Sequence, residues 1–147
     1  MAWSFFALSA AVLWGAGYLM YELLLKSISA STSLFASYFG TMFVYAAWVF
    51  ASGTGRADWA VLRQGGTEAK LLAGIVATGA LANLAFLASM RLKNATVSGM
   101  IEITYPLFTA LFAWVFLQET QASPGAFFGF FLILMGIACI FYFEKTT

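Results

Sequence analysis

The chain has 147 residues, of which 63% are hydrophobic and 9% charged, with a formal net charge of +1. A soluble domain carries about a quarter charged residues, so this is the composition of a membrane protein, and no basic surface is available for nucleic acid. Histidine is absent and Cys139 is the single cysteine; this removes imidazole-based catalysis and any disulfide within one chain, and neither a metal nor another cofactor is expected.

Spanning helices need apolar runs of roughly twenty residues. The chain holds five, over about 3–25, 34–51, 71–90, 95–117 and 125–143. The expected fold class is all-α and integral to a membrane, a single domain over 1–147. The first run, Trp3 to Leu25, stays uncharged until Glu22. It lacks a basic leader and exceeds a signal-peptide core, so it reads as a retained helix rather than a cleaved signal. Trp14, Tyr18 and Tyr21 recur on it at helical spacing. They form either a packing or lipid-facing stripe or, since Trp14 lies too deep for an interfacial belt, the aromatic wall of a cavity for a flat or cationic solute. Glu22 stands four residues before Lys26, and an ion pair near the helix end accounts for it.

Ser33 is read as the N-cap of the second helix, which ends at the Gly53-Thr54-Gly55 breaker. The next connection holds Arg56, Asp58, Arg63, Glu68 and Lys70. Its middle, Asp58 to Arg63, is either a short helix lying at the interface or an ordinary solvated loop. Thr67 can cap the third helix, whose one strongly polar interior residue, Asn83, serves either as glue between helices or as a substrate ligand. Arg91-Leu92-Lys93-Asn94 leaves room only for a tight hairpin, which makes the third and fourth helices antiparallel neighbours.

The fourth run, Ala95 to Leu117, carries the residue that composition least explains. Glu102 stands in an apolar span, where a carboxylate costs several kcal/mol and is a functional-site hypothesis by default. It must be protonated, paired or hydrated. Pro106 has no N–H for the carbonyl of Glu102, so an acceptor is freed beside the acid and the helix is expected to kink there, with Gly99 helping it bend. Ser98, Glu102, Tyr105 and Thr109 follow at steps of four, three and four and share one face. For Ser98 and Thr109, bonding back to their own helix is a sufficient explanation.

Glu119 reads as solvated, or as an acceptor for the start of the fifth helix. Ser123-Pro124 starts that helix as N-cap and proline at the first helical position. Gly125, Gly129 and Gly136 form a small-residue face suited to close approach of another helix or a second copy. Cys139, in the same apolar run, is read as a small buried hydrophobe. With five spans, Arg56, Arg63 and Lys70 fall on one side and Lys26, Arg91, Lys93 and Lys145 on the other, three against four. Loop cations set orientation, and this balance suits either dual insertion as an antiparallel homodimer or a bias set by other features.

Trp14-Gly15, Ser98 through Tyr105-Pro106, Phe116-Leu117-Gln118-Glu119, and Gly129 with Gly136 together resemble one EamA-type unit of the drug/metabolite transporter superfamily. The resemblance is strongest from Ala95 to Ile137. Most such proteins carry two inverted units and ten helices, so a single five-helix unit, half of that architecture, favours a homodimer. Gly129 to Ile137 also resembles the dimer-forming last helix of the small multidrug resistance exporters, which couple export to protons through a glutamate in their first helix. Here the first helix offers only Glu22 near its end, so that site does not carry over by position. Where the family often has a basic residue early in the second helix, this chain has Tyr38-Phe39-Gly40, which leaves the substrate class open.

The function expected is proton-coupled transport of a small molecule across a membrane, the prokaryotic inner membrane by resemblance, through alternating access in a homodimer. Glu102 would bind proton or substrate, with Tyr105, Asn83, Trp14, Tyr18 and Ser98 around it. The rival from another class is a non-transporting assembly or regulatory subunit. An intramembrane enzyme is disfavoured, because no convergent pair of acids accompanies the missing histidine.

Overall fold

The computed structural model describes residues 2–118 and 123–144. Every element among them is helical, and five segments are long and apolar enough to cross a membrane: Ala2–Leu24, Ala30–Ser52, Thr67–Leu92, Ala95–Leu117 and Gly125–Phe143. This is the all-α membrane architecture expected. The chain divides into two units, Met20–Leu92 and Met1–Leu19 with Lys93–Thr147; the boundary falls inside the first helix, α1 (Ala2–Leu24).

In the unit Met20–Leu92, α2 (Ala30–Ser52) starts earlier than expected. Ser29, not Ser33, is its N-cap, accepting the Thr32 N–H at 3.1 Å. Ser33 lies inside the helix, buried, with its hydroxyl donating to the Ser29 carbonyl at 2.9 Å. In a run where Ser29, Ser31, Thr32 and Ser33 can all cap, that burial explains why the register begins one turn upstream. Gly53 ends α2 in the left-handed region at φ 72°, where a Cβ is costly and glycine is not. The connection that follows folds as a helix, α3 (Gly55–Arg63). At its first residue an added Cβ would stand 2.7 Å from Cγ1 of Val49, so any larger residue there would have to displace that side chain. Thr67 is the first residue of α4 (Thr67–Leu92) rather than its cap; the Gly66 carbonyl accepts from Lys70 N–H at 3.3 Å. α2, α3 and α4 pack on one another, with Leu34, Leu87 and Met90 buried. Two bonds hold the end of α1 and its loop: the Tyr21 hydroxyl donates to Ser37 Oγ, and the Arg91 guanidinium donates to the Ile28 carbonyl at 2.8 Å.

In the other unit the fourth span is not one helix. It comprises α5 (Ala95–Glu102), α6 (Tyr105–Phe112) and one widened π-type turn over Ala113–Leu117. Asn94 caps α5 by accepting the Val97 N–H at 2.8 Å. α7 (Pro124–Glu144) follows, and the Ser123 hydroxyl accepts the Ala126 N–H at 3.3 Å, the cap that Ser123-Pro124 predicts. α5 packs against α7, with Ala95, Ala113 and Ile137 buried. Glu119 and Lys145 lie outside the described residues.

Candidate functional site

The break in the fourth span falls at Ile103-Thr104, immediately after Glu102 and just before Pro106, which occupies the second position of α6. Proline is tolerated there because N–H groups in a helix's first turn have no partner within the helix. Across the break the ladder tightens. Thr104 N–H bonds the Ile101 carbonyl at 3.1 Å, and Leu107 N–H bonds the Thr104 carbonyl at 2.9 Å, each three residues back instead of four. The Thr104 hydroxyl also donates to the Ile101 carbonyl, at 2.9 Å. The acid thus stands at the mouth of a discontinuity, on the last residue of α5.

Its partner comes from 84 residues away. The Tyr18 hydroxyl on α1 donates to Glu102 Oε2 at 2.6 Å, within the range of a charge-assisted O–H···O⁻ bond. Both side chains are half-buried. Gly99 lies beside this pair: an added Cβ there would stand at ordinary contact distance, 3.6 Å, from Cδ2 of the Tyr18 ring. Gly99 lies within α5, and the break comes four residues later. A phenol both donates and accepts, so it can donate to the carboxylate or accept from the protonated acid without moving away. Such a pair can exchange a proton or a cationic ligand at small structural cost.

The remaining candidates are distributed unevenly. Ser98, one turn before Glu102, is 3% exposed. Tyr105 opens α6 just beyond the break and is 54% exposed, and Trp14, one turn before Tyr18, is 57% exposed. The Thr109 hydroxyl donates to the Tyr105 carbonyl at 3.1 Å, as its local explanation requires. Asn83 belongs to the other unit, and its amide donates to the Gly79 carbonyl of its own helix at 2.8 Å. On α7 an added Cβ at Gly129 or Gly136 would meet nothing within 4 Å, and one at Gly125 only Ser123 Oγ at 3.9 Å. Among the described residues, therefore, nothing but Ser123 packs onto these three positions. Cys139 is exposed rather than buried. Among the described residues no cluster of three or more acids and cysteines could hold a metal ion.

Sequence reasoning grouped Tyr18 with Glu102 in one expected site but did not indicate the direct bond between them. It located the bend through Pro106 but missed the widened turn at Ala113–Leu117, which has no proline or glycine to mark it.

A family model described as the EamA-like transporter family matches residues 1–142. No curated protein and no solved structure matches the chain.

Proposed function

Since the chain belongs to the EamA-like transporter family and is therefore a membrane transporter of the drug/metabolite type, we propose that it moves a small polar or amphipathic solute by proton-coupled alternating access, with Glu102 as the coupling group. The observation that carries this reading is the bond from Tyr18 to Glu102 beside a broken helix. Discontinuous spans are where secondary transporters place substrate and coupling-ion sites, because irregular backbone at membrane depth is tolerated where it lines a cavity. Proton and solute compete for the carboxylate, so each loaded state holds one or the other. Tyr18 keeps the acid oriented in both, while Tyr105 and Ser98 flank it along the fourth span.

The proposal includes a homodimer, antiparallel in the membrane, in which a second five-helix unit supplies the other half of the transport path. The balanced loop charges and the unoccupied small-residue face of α7 support it. The prokaryotic inner membrane is the proposed location. The test is uptake driven by an imposed pH gradient in proteoliposomes, over a panel of metabolites and drugs. Wild type is expected to concentrate at least one compound and Glu102→Gln none; flux indifferent to both pH and that substitution refutes the coupling. Single-cysteine labelling from each side of the membrane is expected to find both orientations, and one uniform orientation refutes the antiparallel dimer.

A further inference from the structure

The connection between the second and third spans builds a groove that the transport site does not use. α3 is too short to cross a membrane and joins two helices long and apolar enough to do so, so it lies where those spans leave the bilayer. Trp59, Leu62 and Arg63 on α3 face Ala69, Ala73 and Ala77 on α4 across about 520 Å³, a volume in the range of small-molecule sites. The three alanines repeat every four residues, so they form a strip along α4, with Leu72 and Val76 beside it. Small side chains there leave space that a leucine would fill. At the rim the Arg63 guanidinium lies 5.9 Å from the centre of the Trp59 ring, a cation–π distance that holds the charge over an apolar wall. Arg56 lies seven residues earlier, on nearly the same line of α3.

We propose that this groove binds an anionic phospholipid, with an acyl chain along the alanine floor and the phosphate at Arg63. Three features select that occupant. The groove is apolar inside and cationic at its rim, the polarity of a phospholipid read from tail to head. It lies beside spans long and apolar enough to cross a bilayer, so a chain can enter sideways from it. Basic residues at the end of a span are the groups that recognise anionic headgroups. The bound lipid would wedge α3 against α4.

The experiment uses the full chain in nanodiscs of phosphatidylglycerol or phosphatidylcholine, each doped with the same lipid carrying a photoreactive diazirine in its acyl chain. Adducts are located by peptide mass mapping. They are expected to concentrate on residues 59–77 relative to the lipid-exposed segment 35–50 of α2, with phosphatidylglycerol favoured by about fivefold, the worth of one interfacial cation. Arg63→Gln should remove that preference while leaving total labelling in place. Ala73→Leu should cut labelling of 59–77, and Ala77→Leu provides a second way to fill the groove if the first variant does not fold. Labelling spread evenly over α2 and α4, unchanged by a filled groove or equal for the two headgroups in wild type, overturns the proposal. So does crosslinking of 59–77 to a second copy of the chain in place of lipid.

Discussion

The spans Thr67–Leu92 and Ala95–Leu117 pose the same problem and resolve it differently. Away from its ends, each carries one strongly polar side chain within an apolar run, where an unsatisfied group costs several kcal/mol. Asn83 answers it locally, with its amide on the Gly79 carbonyl one turn back, and α4 continues unbroken to Leu92. Glu102 reaches another helix, to Tyr18, and its span breaks directly after it. A polar group that its own helix can satisfy needs no further role. One that ties two distant segments together at a break is placed to change partners. On the proposed function, this difference separates structural polarity at Asn83 from working polarity at Glu102.

Substitutions can break this contrast, and the largest effect is expected at the acid. Glu102→Gln keeps a hydrogen-bonding group of similar size but cannot take up a proton at working pH, so proton-driven uptake should fall by about a hundredfold or more, in line with the lower end of proton-transfer contributions. Tyr18→Phe removes the hydroxyl while keeping the ring. Loss of a charge-assisted bond worth roughly 1.5–3 kcal/mol should lower initial uptake about tenfold, while size-exclusion chromatography shows a folded protein.

Gly99 sharpens the comparison. An Ala Cβ would stand at ordinary contact distance, 3.6 Å from the Tyr18 ring, so Gly99→Ala should transport nearly as well as wild type. Gly99→Leu would push the ring away and should behave like Tyr18→Phe in the same uptake assay. The smallest effect is expected in the other span. Asn83→Ala should leave uptake within about twofold and cost about 0.6 kcal/mol of stability, the average for polar side chains in membrane helices, measured by thermal unfolding in detergent. A loss of uptake at Asn83 as large as at Tyr18 would erase the distinction between the two spans.

The spans were legible because an apolar run of bilayer length has few alternatives, and Glu102 because a charge among such residues has no cheap explanation. Pro106 announced the discontinuity through chemistry alone, a missing N–H. Local signals were less decisive where several residues could do the same work. The serines from Ser29 to Ser33 compete as caps, and the burial of Ser33, invisible in spacing, favours Ser29. The segment Asp58 to Arg63 had an amphipathic pattern too short to separate helix from loop; packing of α3 on α2 and α4 determines the outcome. The bond between Tyr18 and Glu102 was not legible at all, since helical periodicity relates residues within one helix and says nothing about which helices meet.

The central claim is that a transported solute and a proton compete for Glu102, and proton release on binding tests it most directly. Once the panel identifies a compound that is carried, it is added to purified protein in weakly buffered detergent containing a pH dye. Wild type is predicted to release about one proton per site as the solute binds, and Glu102→Gln none. Binding without release in wild type, or equal release from the variant, would contradict the account.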